Sequence, residues 1–187
     1  LCVGASVTTG NDNLFVNQCD FGPAATNLPT KCIFLGGTSN THPGSANSNI
    51  IIDDNKIHDF FSATETSTGI EISSGTVVSL VSHNKFYQTA PRTITGSSVG
   101  HRPVSIVNDG GNAYQVSNNI IGFANDVGTG EYNLVFPANS GNSFTPIYIY
   151  VDSLTVTNVG NNVIANIAMT GNPSGTLASA PFIGINV

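Results

Sequence analysis

The chain carries little charge: five Lys and Arg and eleven Asp and Glu in 187 residues, a formal net charge of −6. Five cations cannot neutralise a row of phosphates, which excludes a nucleic-acid partner and disfavours an anionic membrane surface. Tryptophan is absent, methionine occurs once and leucine eight times, against 17 Val and 17 Ile. That shortage of strong helix formers excludes a helical bundle and leaves a β-branched, strand-forming mixture. No apolar run approaches the ~18 residues of a transmembrane helix, so membrane insertion is not expected. An initiator Met and a basic-then-apolar leader are also missing, and the opening Leu1-Cys2-Val3 reads as the interior of something longer. Three cysteines, Cys2, Cys19 and Cys32, show no CxxC spacing, so a structural zinc site is not expected.

What the chain does have is Asn 23, Ser 19, Thr 19 and Gly 20, with 40% hydrophobic residues to build one core. One octet recurs: Leu14 to Phe21, Ile50 to Ile57, Ser79 to Phe86, Tyr114 to Ile121 and, more loosely, Thr157 to Ile164. Its pattern is apolar, two polar residues, Asn, any residue, apolar. A second unit alternates with it, a short apolar-x-apolar strand at Ile33/Leu35, Ile70/Ile72, Val104/Ile106, Ile147/Ile149 and Ile183/Ile185, with Val3 to Ala5 as a weak zeroth copy. The residues between are Gly, Ser, Thr, Asn and Pro without a helical period. This predicts an all-β, right-handed parallel β-helix of about five coils, a single domain over 1–187, either a segment of a longer chain or an uncapped fibre subunit. The predicted ladder is Cys19, Asn55, Asn84, Asn119 and Asn162, its Asn residues tolerating a left-handed bend and hydrogen-bonding along the axis. The flanking apolar stacks are Val16, Ile52, Val81, Val116, Val159 and Phe21, Ile57, Phe86, Ile121, Ile164.

The run Asn118 to Tyr132, with Thr145-Pro-Ile-Tyr-Ile149, Gly160 to Ile167, Asn84 to Ile94 and Ser179 to Asn186, resembles the repeat regions of very large secreted proteins of the Bacteroidota. The resemblance covers nearly the whole chain. It implies a right-handed parallel β-helix, export to the cell exterior through a dedicated outer-membrane secretion system, and an adhesive or surface-layer role. The far C-terminal sorting domain usual in such proteins has no counterpart here.

Long connections fall at one phase, 22–32, 58–69, 87–103, 122–146 and 165–182, so they pile on one flank, where function would sit. Phe60, Phe61, Tyr87 and Tyr132 there predict either an aromatic surface that contacts carbohydrate or a partner, or a second small core that covers the flank. Asp53-Asp54 is the one adjacent acidic pair. Asp54 is expected to stack with His83 and Asn118, and Lys56 with Lys85, a cluster with the groups for acid–base cleavage of polysaccharide. The second acidic pair of polygalacturonase-like enzymes is missing, so no catalytic residue is expected and a solvated turn stack is the simpler account. Glu71 and Asp109 lack stacked acidic partners, and His42, His58, His83 and His101 lack ligand spacing, so neither a metal nor another cofactor is expected. Asp152-Ser153-Leu154 is similar to a short O-glycosylation acceptor of Bacteroidota, whereas Asn172-Pro-Ser174 has Pro where a sequon forbids it. Aligning Leu1 to Ala5 with Lys31 to Leu35 stacks Cys2 on Cys32 at disulfide distance; Cys19 with Cys32 is the competing pair, and otherwise Cys19 stays buried atop the ladder. Both ends are strands without a cap, which predicts stacking of copies end to end or continuation into adjoining coils of the same chain. The expectation is an extracellular structural or adhesive module, with a carbohydrate-binding or polysaccharide-cleaving protein as the alternative.

Overall fold

The computed structural model describes residues 1–4, 9–37, 46–138, 140–153, 155–171 and 182–187. His42 and the Asn172-Pro-Ser174 site lie outside them. The described residues are all-β, with parallel strands in stacked sheets, and include no helix long and apolar enough to cross a membrane. The first sheet orders β1 (Cys2–Val3), β4 (Lys31–Leu35), β7 (Ser67–Ile72), β11 (Gly100–Asn108), β16 (Ile147–Val151) and β20 (Ile185–Asn186), with β15 (Ser143–Phe144) also on β11. The second orders β2 (Phe15–Asn17), β5 (Asn47–Asp53), β8 (Thr76–Ser82), β12 (Gln115–Ser117) and β17 (Asn158–Gly160). The third orders β3 (Asp20–Phe21), β6 (Lys56–His58), β9 (Lys85–Tyr87), β13 (Ile120–Gly122) and β18 (Val163–Ala165). Each rung of chain thus runs from the second sheet to the third and on to the first. Each strand pairs with its equivalent about one period away in sequence, an arrangement compatible with a parallel β-helix.

A fourth sheet, β10 (Arg92–Thr93), β14 (Tyr132–Phe136) and β19 (Ile167–Gly171), corrects the expectation that 87–103, 122–146 and 165–182 are loops. Tyr132, Leu134 and Phe136 alternate inward at 0%, 0% and 3% exposure, so this strand closes a side of the core.

The interior is built from vertical columns. Ile33, Ile70, Val104 and Ile147 pair in register, as do Leu35, Ile72, Ile106 and Ile149. Val16, Ile52, Val81, Val116 and Val159 form a third column, and Phe21, Ile57, Phe86, Ile121 and Ile164 a fourth. Each fully buried Ile contributes about 1.5–3 kcal/mol, and β-branched side chains fit the pleated stack. Gly69 is required at its position, because a Cβ there would lie 2.7 Å from the Pro103 carbonyl oxygen and 2.9 Å from the Phe86 ring.

Both terminal strands are shifted by two residues from the expected alignment. Val3 pairs with Leu35 rather than Ile33, and Ile147 pairs with Ile185 rather than Ile183. A shift of two preserves which side chains face inward, so the apolar pattern alone does not choose between the alignments.

Candidate functional site

The bend between the second and third sheets holds the ladder. At Asn55 the main-chain N–H and the Nδ2 group both donate to Asn84 Oδ1, at 3.1 and 2.9 Å. Asn84 makes the same pair of bonds to Asn119 Oδ1 at 3.0 and 3.1 Å, and Asn119 to Asn162 at 3.0 and 2.9 Å. The remaining amide hydrogens reach backward, from Asn55 to the Val16 carbonyl, Asn84 to Ile52, Asn119 to Val81 and Asn162 to Val116, at 2.9–3.0 Å. Asn55, Asn84 and Asn119 are buried with these amides satisfied by protein.

The ladder residues do not take the left-handed conformation themselves. That falls on the residue before each, Gln18, Asp54, His83, Asn118 and Asn161, at φ of 53–58°. The preceding residue absorbs the bend, which leaves the Asn side chain facing inward and its N–H facing the next rung. Cys19 starts the ladder with its N–H on Asn55 Oδ1 at 3.0 Å, but it is exposed rather than buried, with its thiol 3.3 Å from the Asn17 carbonyl.

All three cysteines are free thiols, which corrects the Cys2–Cys32 bridge and its Cys19–Cys32 competitor. Cys2 is exposed opposite Phe34, while Cys32 is buried, so the shift of two residues parts them. Burial pushes the Cys32 thiol up to about 12, outweighing the nearby N-terminal ammonium.

On the outer side of the same bend, His83 Nδ1 pairs with Asp53 at 2.8 Å, not with Asp54, and Ser82 donates to the same carboxylate at 2.5 Å. Burial would raise the Asp53 carboxyl, but those two hydrogen bonds hold it below its ordinary value. Asp54 instead accepts from Gln18 Nε2 at 3.2 Å. Lys56 and Lys85 do stack in register, and both reach Asp126, Lys56 to the carboxylate at 2.7 Å and Lys85 to the carbonyl at 3.0 Å. The expected Asp, His and Lys cluster therefore does not pair as one site: His83 is on Asp53, Asp54 on Gln18 and both lysines on Asp126, although Asp54, Lys56 and Lys85 border one hollow.

The aromatic flank is closed. Phe60 and Tyr132 are fully buried, Tyr87 is buried and Phe61 is half-buried. This corrects their assignment as an open carbohydrate or partner contact and matches the alternative of a second core. Phe60 stacks on His101 at 4.8 Å between ring centres, and Phe144 lies 5.8 Å from the same ring.

Beneath these rings runs a polar chain that the repeat pattern does not reveal. Asp20 and Asp59 take the two ring nitrogens of His58 at 2.9 and 3.0 Å. Asp59 also pairs with Arg92 and accepts from the Thr89 N–H and hydroxyl at 2.9 and 2.7 Å. Arg92 Nε donates to Gln88 Oε1 at 3.0 Å, and Gln88 Nε2 donates to the Phe60 carbonyl at 2.9 Å. His101 closes the chain, with Nε2 at 2.6 Å from Tyr132 OH and Nδ1 at 2.6 Å from Ser67 Oγ. Because Gln88 Nε2 also approaches His101 Nε2, at 3.4 Å, that nitrogen is the acceptor and Nδ1–H donates to Ser67.

Burial opposes charge on Asp59, yet hydrogen bonds from His58, Thr89 and Arg92 win and hold its carboxyl well below the usual range. His58 is raised, first by its hydrogen bond to Asp59. His101 is lowered to about 3, by burial and then by the Arg92 charge. Ser67 and His101 have the proximity of a nucleophile and its base, but both are 0% exposed. A base sealed from water and substrate has nothing to deprotonate, so this arrangement locks the core. The available sequence signal was scarcity: with five cations in the chain, an Arg between Pro91 and Thr93 has few roles besides a buried pair.

Ser153 is exposed after β16, and Leu154 of its motif lies outside the described residues. No group of three or more His, Cys, Asp and Glu able to hold a metal occurs among the described residues. No protein-family model matches the chain, and no curated protein or solved structure matches it either.

Proposed function

We propose that the chain is a non-catalytic structural module of an extracellular surface protein, wound as a right-handed parallel β-helix. The observation that carries this reading is the Asn ladder. It spends the most regular polar residues of the chain on bonding one rung to the next, and the buried His101 is sealed against aromatic rings. Such a core is a spacer that presents faces, and adhesion is then a property of those faces.

The ladder also bears on the partner. Each rung donates toward the Oδ1 of the next, so whatever extends it past Asn162 has to bring a side-chain oxygen. A second copy stacked head to tail brings Cys19, which has none. A head-to-tail contact between copies through this stretch therefore lacks the rung-to-rung amide bond.

Immuno-electron microscopy of cells that make the protein is expected to label their outer surface, and label confined to the cytoplasm overturns the reading. Acidic and neutral polysaccharides are expected to stay intact in its presence. Release of reducing sugar that vanishes in Asp53→Asn, with an unchanged circular dichroism spectrum, establishes an enzyme instead.

A further inference from the structure

On the outer face of the first sheet one cation stands with neither an acid nor a carbonyl against it among the described residues. Lys31 pairs with Glu71 at 2.7 Å, Lys56 with the Asp126 carboxylate and Arg92 with Asp59, while Lys85 donates to the Asp126 carbonyl. Among the described residues Arg102 has no acidic partner. Its Nε is buried without a hydrogen bond, and its guanidinium lies 4.0 Å over the Tyr148 ring. Stacking on an aromatic face holds the planar fork in place while leaving its edge free to donate.

That fork opens into a hollow of about 550 Å³ whose wall includes Lys31, Thr68, Glu71, Ser105 and Val107. Glu71 is already committed, accepting from Lys31 and from Thr68 Oγ1 at 3.2 Å. Two cations and one acid make the hollow net positive in a chain of net charge −6. At its edge Val107 pairs with Tyr150, a residue 60% exposed. An unsatisfied Arg fork, a floor of hydroxyls and an exposed flat ring make a recognisable set. The fork takes a carboxylate through two hydrogen bonds, the hydroxyls take sugar hydroxyls, and the ring stacks on a pyranose face.

We propose that this face binds a carboxylate-bearing glycan, a chain of uronic acids, with Arg102 on the carboxylate and Tyr150 under a neighbouring sugar. The proposal rests on the reading of the chain as a surface module, and it can fail alone: a surface-labelled protein that ignores the sugar keeps that reading.

The test is calorimetric titration of the full chain with an oligomannuronate and with its methyl ester, which has the same rings without the charge. The acid is expected to bind and the ester to bind at least about tenfold more weakly, the cost of losing a charged bidentate pair. Arg102→Gln is expected to lose the same factor with an unchanged circular dichroism spectrum, and Tyr150→Ala a smaller one. Equal affinity for acid and ester, binding untouched by Arg102→Gln, equal binding of poly-glutamate, or no binding at all overturns the proposal.

Discussion

The Asn corner and the interior around Asp59 and His101 both bury polar side chains, and they satisfy them by opposite means. At the corner one residue type repeats, and each amide bonds its equivalents above and below, so the stabilisation accumulates rung by rung. Around Asp59, seven side chains of five types, from Asp20 to His101, each depend on particular partners that no other rung supplies. A repeating solution tolerates local loss because the neighbours persist. A single-use network fails at whichever member is removed, since its remaining charges stay buried.

The largest effect is therefore expected at the single-use site. Asp59→Ala leaves Arg92 and His58 without their shared acid, and a loss of about 3–5 kcal/mol is expected in urea unfolding. Asn84→Ala, at the middle of the ladder, removes the acceptor of both Asn55 donors and the side-chain bonds to Asn119 Oδ1 and the Ile52 carbonyl, at about 2–3 kcal/mol in the same measurement. If the ladder variant costs more than the Asp59 variant, the contrast between the two regions is wrong.

Acid separates the regions further, because the ladder does not titrate. His101 has its ordinary value of 6.5 when unfolded and about 3 when folded. Between those values the unfolded chain binds a proton that the folded chain refuses, so stability falls as pH drops through the window, by about 1.4 kcal/mol per unit. His58 works the other way: its raised value adds stability below 6.5 that is lost as pH climbs past the folded value. Compared with wild type, His101→Gln is expected to flatten the acid limb of a stability–pH curve. An unchanged limb excludes a neutral buried imidazole.

The smallest effect is a gain. Cys19→Asn supplies the amide that the first rung lacks, placed to donate to Asn55 Oδ1, and a stabilisation of about 0.5–1.5 kcal/mol is expected from thermal unfolding. No change means that the exposed end of the ladder does not hold its geometry.

The same contrast explains what was legible in the sequence. The second and third sheets and the ladder announce themselves because Val16, Asn55 and Phe86 have equivalents at the same phase in every rung. The fourth sheet carries no such signal: Arg92–Thr93 is too short to show a period, and Tyr132–Phe136 follows a Gly-rich stretch. The terminal strands are legible but their register is not, since alternation has a period of two and a shift of two residues separates Cys2 from Cys32 without changing the pattern. Ser67, Gln88, Arg92 and His101 carry no repeat at all, so only their three-dimensional meeting identifies them.

Side-chain amide exchange read by NMR tests the central claim, that stacked Asn amides bind rung to rung, most directly. The Nδ2 protons of Asn55, Asn84 and Asn119 are expected to exchange orders of magnitude more slowly than those of exposed Asn161, in the same sample. Exchange of all four at similar rates would contradict the ladder and the module built on it.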